Sequence, residues 1–110
     1  MNVQDFQRRA ETILAPVAHP RVLSVLALVE ETGELAKLVL DHEGYGQPLD
    51  AAKLSGEIGD VMVALAEVST RHGVDLEKAC AEKLADLETR VPGWVTKFGP
   101  ALERARQRLD

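Results

Sequence analysis

The sequence predicts an all-α fold: a four-helix antiparallel bundle with a short C-terminal helical tail, oligomeric in its working form. Three observations carry that expectation. Apolar residues recur at helical spacing along four stretches, and no segment alternates convincingly with the period of two that a strand needs. The helix formers Ala, Leu, Glu and Lys are abundant, while aromatic residues make up only 4%. The connections are short, which favours antiparallel neighbours.

The first helix runs from about Val3 to Ala15 and is stopped by Pro16. The second begins near His19-Pro20, where proline suits the first turn, and continues to about Asp41. The stretch "HEGYGQPLD" then holds two glycines and a proline and reads as a loop. Asp50 can cap the third helix, Ala51 to about His72, with Gly73 just past its end. Asp75 can cap the fourth, Leu76 to about Val91, which Pro92 stops. The remainder, "GWVTKFGPALERARQRLD", has room for a short helix after Pro100.

A chain of 110 residues makes one domain, read here as residues 1–110 with a core at 19–92 and a tail at 93–110. With 13 basic and 18 acidic residues the formal net charge is −5, which argues against a general nucleic-acid binder. No stretch approaches the roughly 20 apolar residues of a membrane span. The opening "MNVQDFQRRAETILA" places an acid and two arginines before any apolar run of signal-peptide length. The single cysteine, Cys80, allows no intrachain disulfide and reads as a buried structural thiol on an apolar helix face. A cytoplasmic location without nucleic-acid or membrane partners is expected.

The chemistry lies in a repeat. The second helix carries Glu31-Thr32-Gly33-Glu34 and the third Glu57-Ile58-Gly59-Asp60, both of the form E-x-G-[DE]. At about 100° per residue, acids three apart project from one face. Around Glu31 that face holds Ala27, Leu28, Leu35 and Leu38; around Glu57 it holds Leu54, Val61, Ala64 and Val68. Facing helices would therefore bring four carboxylates into a partly dry place, where they must be protonated, matched by bases or occupied by cations. Lys37 and Lys53 are too few to neutralise them. Hard oxygen ligands at this density suit Mg²⁺ or Mn²⁺. For either pair alone a solvated acidic face is the competing reading; the duplication within apolar stripes favours the metal. Gly33 and Gly59 are either points of close helix approach or simply tolerated.

The motif E-x-x-E, 22 residues, E-x-x-D, in the contexts "EETGEL", "EIGDV" and "HGVDLEKA", resembles the metal-binding signature of the MazG-like and dCTP pyrophosphatase group of all-α nucleoside triphosphate pyrophosphohydrolases. The likeness covers most of residues 19–92. It implies a helical bundle that forms a homodimer or a dimer of dimers. It also implies Mg²⁺-dependent cleavage of a nucleoside triphosphate to monophosphate and diphosphate, in nucleotide-pool housecleaning. Glu31, Glu34, Glu57 and Asp60 would be the metal ligands and catalytic acids, and Lys83 and Arg90 would bind phosphate. Lys83 shares an arc with Leu76, Cys80 and Leu87, which reads as inward-facing. Leu87 stands where the dCTP-cleaving branch often has asparagine. Phosphoribosyl-ATP pyrophosphohydrolase is the nearest enzymatic alternative, and a non-catalytic metal-binding assembly module the other.

His19, His42 and His72 lack an acid three residues earlier, which removes the di-iron bundle pattern, and they read as surface or loop residues. The second helix is apolar around most of its circumference. Its polar arc holds Glu30, Glu34, Lys37 and Asp41, so it needs cover on nearly all sides, which points to a homodimer.

Overall fold

The computed structural model describes all 110 residues, which form four α-helices and no strand. These are α1 (Val3–Leu14), α2 (Arg21–Glu43), α3 (Ala51–Arg71) and α4 (Leu76–Leu109), with a 3-10 turn at Ala15–Val17 after α1. The chain falls into two units, Met1–Glu77 and Lys78–Asp110.

In the first unit, local chemistry sets the helix ends. Asn2 Oδ1 accepts from the Asp5 amide at 2.8 Å while Asp5 Oδ2 accepts from the Asn2 amide, a reciprocal cap on α1. Pro16 tightens the chain into the 3-10 turn, and the path then bends by 111° into α2. The Pro20 carbonyl opens α2 by accepting from the Leu23 and Ser24 amides. His19 ties this corner down, because its backbone amide and its Nδ1 donate to Glu67 Oε1 on α3 at 2.7 and 2.9 Å. Helix α2 continues to Glu43, so His42 lies in its last turn rather than in a loop, with Nδ1 donating to the Gln47 carbonyl. Asp50 caps α3 as expected, accepting from the Lys53 amide at 3.0 Å. Gly73, at φ +69°, supplies the left-handed residue that ends it.

Helix α3 packs against both α1 and α2. Ala10, Ala66 and Leu76 form the buried core, with Val3, Phe6 and Leu65 against it. The other buried residues are also small: Ser24, Ala64 and Ser69. The two serines turn their hydroxyls back to the carbonyls of Arg21 and Leu65, so no polar atom is stranded there. Much of α2 stays in the open, with Val22, Leu26, Val29 and Leu40 each more than half exposed. One chain leaves this apolar helix largely uncovered.

The second unit corrects the expected boundary at Pro92. Helix α4 runs 34 residues to Leu109 with Pro92 and Pro100 inside it. An internal proline frees the carbonyl four residues back and crowds it, at about 3 kcal/mol. Here those positions, Glu88 and Thr96, are exposed and open to water. The expected short tail is thus the second half of one long helix. Cys80 is exposed on α4, not buried.

Gln7 is the main polar tie within the first unit. Its Nε2 donates to Thr70 Oγ1 and to the Val74 carbonyl at 3.2 and 2.8 Å, and its Oε1 accepts from the Leu76 amide at 2.9 Å. Gln7→Ala strands the partly buried Leu76 amide and is expected to lower the unfolding free energy by about 1–3 kcal/mol in urea titrations. Gln7→Glu, which keeps the acceptor, should recover part of that loss.

Candidate metal centre

Because α2 packs against α3, the two acid pairs meet. One carboxylate oxygen from each of Glu31, Glu57 and Asp60 lies within 4.8 Å of the other two. Glu31 and Glu57 are half-buried and Asp60 is exposed. Glu31 Oε2 and Glu57 Oε2 are both shielded from solvent and have no hydrogen-bond partner. Buried polar atoms are nearly always partnered, so two orphaned acceptors side by side mark a place built for something else. Burial foremost, then the charges of Glu34 and Asp60, raise the Glu31 carboxyl above its ordinary value of 4.5.

Residues 22–95 match the family model of the MazG nucleotide pyrophosphohydrolase domain, a span that contains both acid pairs. The chain belongs to the MazG nucleotide pyrophosphohydrolase family. No curated protein and no solved structure matches it. Nucleotide pyrophosphohydrolysis is the general activity that MazG membership supports.

The donor set suits a small divalent cation. Oxygens at 2.0–2.1 Å from Mg²⁺ stand about 3 Å apart when adjacent and about 4 Å apart when opposed. The MazG acid cluster spans little more than that. No lysine or arginine neutralises it. Lys37 pairs with Asp41 at 3.4 Å, and Lys53 makes no ion pair. Glu34, the fourth expected ligand, lies outside the converging three. Its charge lies near enough to Glu31 to help raise that carboxyl. Glu34 also lines a cleft of about 150 Å³ with Lys37, Leu38, Asp41, Lys53 and Glu57. Gly33 and Gly59 have open space where a Cβ would sit, so neither marks a close helix approach within the chain.

The two expected phosphate binders belong to the second unit. Lys83 Nζ lies 3.8 Å from Asp86 Oδ2, and Arg90 Nε 3.5 Å from Asp86 Oδ1. Both cations are well exposed, so Lys83 does not face inward as its arc suggests; on that arc Leu76 is buried and Leu87 half-buried, while Cys80 is exposed like Lys83. Sequence reasoning passed over Asp86. The signal was present in its spacing, three residues after Lys83 and four before Arg90, where helical side chains meet.

Glu31 yields a signed prediction. A carboxyl raised in the folded state contributes stability below its unfolded value of 4.5, and that contribution is lost as pH rises through the folded value. Without divalent ions at pH 7, Glu31→Gln should therefore melt at a higher temperature than the unsubstituted protein, with the gap closing toward pH 4. Adding Mg²⁺ should raise the melting temperature of the unsubstituted protein and leave Glu31→Gln unmoved.

Proposed function

We propose that this MazG-family protein is a Mg²⁺-dependent nucleoside triphosphate pyrophosphohydrolase. It would convert an NTP or dNTP and water to the monophosphate and diphosphate, as a cytoplasmic housecleaner of the nucleotide pool. The observation that carries the reading is the pair of donor-free buried oxygens, Glu31 Oε2 and Glu57 Oε2, within a cluster of three acids. Mn²⁺ satisfies the same ligands. When bound, the cation supplies the positive charge that phosphoryl transfer requires and makes water a better nucleophile at neutral pH.

The chain's own residues divide the remaining work. Glu31, Glu57 and Asp60 hold the ion, and Glu34 completes the ligand set or takes the proton of the attacking water from its place beside Glu31. Lys83 and Arg90 bind phosphate oxygens. Asp86 is a positioning residue that keeps these two cations side by side before substrate arrives. The single domain, residues 1–110, acts as a homodimer or dimer of dimers in which a second copy covers α2 and completes the antiparallel bundle. Two facts support assembly. The exposed Val and Leu side chains of α2 form an apolar patch of the kind that marks an interface. The cleft beside the acids is also smaller than the roughly 300–1,000 Å³ of pockets that enclose such ligands.

The test is turnover of a panel of canonical and modified triphosphates, with phosphoribosyl-ATP included, in Mg²⁺. Diphosphate release is expected; orthophosphate release or no turnover would sink the reading. Glu57→Gln should lower kcat at least about 100-fold, the scale of losing a group that stabilises transition-state charge, with helix content unchanged. Lys83→Ala should raise KM more than it lowers kcat.

A further inference from the structure

We propose that the apolar stripe on the second half of α4 is a contact with the same helix of a second copy, the two running antiparallel. The family match ends at residue 95, whereas the stripe runs to Leu109. Val91, Val95, Phe98, Leu102 and Leu109 follow one another at three- and four-residue steps (the longer gap filled by Ala105) along one line of the helix. Those five, with Trp94 at their edge, are 38–77% exposed. Gly99 leaves a hollow among Val95, Phe98 and Leu102, in which an added Cβ would meet only Val95 Cγ1, at 3.7 Å. A helix of mixed charge has no reason to keep such a line in water. Its regular spacing, close to the 3.6-residue turn, suits a straight partner helix.

Charge identifies the partner and its direction. Residues 85–96, which a two-fold axis between residues 96 and 97 sets opposite 97–108, carry Asp86 and Glu88 against Arg90, a net −1. Residues 97–108 carry Lys97, Arg104, Arg106 and Arg108 against Glu103, a net +3. Parallel copies would set basic end beside basic end; antiparallel copies set each basic end beside an acidic one. A two-fold axis between residues 96 and 97 gives a consistent register, with Val91 opposite Leu102 and Val95 opposite Phe98. Glu88 and Arg106 lie about five turns apart and so share one edge of the stripe. That axis brings Glu88 beside Arg106 of the second copy. Glu88 makes no ion pair within its own chain, while Arg106 is held only by its neighbour Glu103.

The contact does not rest on the catalytic reading, and its test uses no activity. Sedimentation equilibrium of the full chain should show weaker association, by about five- to tenfold as for a coupled interface ion pair, in Glu88→Arg and in Arg106→Glu. The double exchange should restore it. Spin labels at Thr96 or Gln107, in a Cys80→Ser background, report direction. Antiparallel helices place the Gln107 labels about 30 Å farther apart along the axis than the Thr96 labels, from a 1.5 Å rise per residue. Association unchanged by either single exchange, a double exchange that fails to restore it, or equal label separations at the two positions each overturn the proposal.

Discussion

The structure turns on a conflict of like charges that only the packing of α2 on α3 creates. Each helix alone could point its acids into water. Packed together, they bring oxygens of Glu31, Glu57 and Asp60 within 4.8 Å of one another and shield one oxygen each of Glu31 and Glu57 from solvent. Carboxylates so placed repel one another and lack hydrogen-bond donors, so folding without a counter-ion works against the fold's own helix contact. The surrounding residues do little to relieve this. Lys37 is engaged by Asp41, and Lys53 makes no ion pair. A site that cannot satisfy itself is specific for what can. That is why two unpartnered oxygens say more than the number of acids nearby.

The spacing of the acids was legible in the sequence because helix geometry is fixed: three residues always return a side chain to nearly the same face. The all-α fold was legible for the same reason, as were the Asp50 cap and the turn at Gly73. What escaped were effects that depend on surroundings. Pro92 reads as a stop by its own chemistry, but on a helix whose neighbouring carbonyls are open to water the penalty is finite and the helix continues. Lys83 and Cys80 fall on an apolar arc, yet periodicity says only which residues share a face, not whether that face is covered. Glu34 shows a finer limit. It shares a face with Glu31, but which oxygens converge depends on side-chain geometry that spacing does not encode.

The core itself explains why cover is wanting. The fully buried positions of the first unit are alanine, serine and one leucine, which let helices approach closely but remove little apolar surface from water. The larger residues of α2 and α4 remain outside. A 110-residue chain that spends its small residues on its core and its large ones on its surface exposes the kind of apolar patch that the proposed second copy would cover.

The two exposed faces also have different consequences. Contact along α2 and contact along α4 would each be isologous, the same patch meeting itself across a two-fold axis. One such interface gives a dimer and nothing more. Two independent ones, if their axes cross at right angles, close into a dimer of dimers; if they do not cross, they generate an open chain of copies. Only one of the pair lies within residues 22–95 throughout, since α4 carries its stripe past that limit. The acid cluster and the α2 face lie within the matched residues, and the extension beyond residue 95 would then decide whether assembly stops at two copies. Gly99 and Pro100 sit inside that extension, and Pro92 and Gly93 just before it. They weaken the helix where the two-fold axis falls, so pairing with a second copy would stabilise α4 where its own sequence does so least.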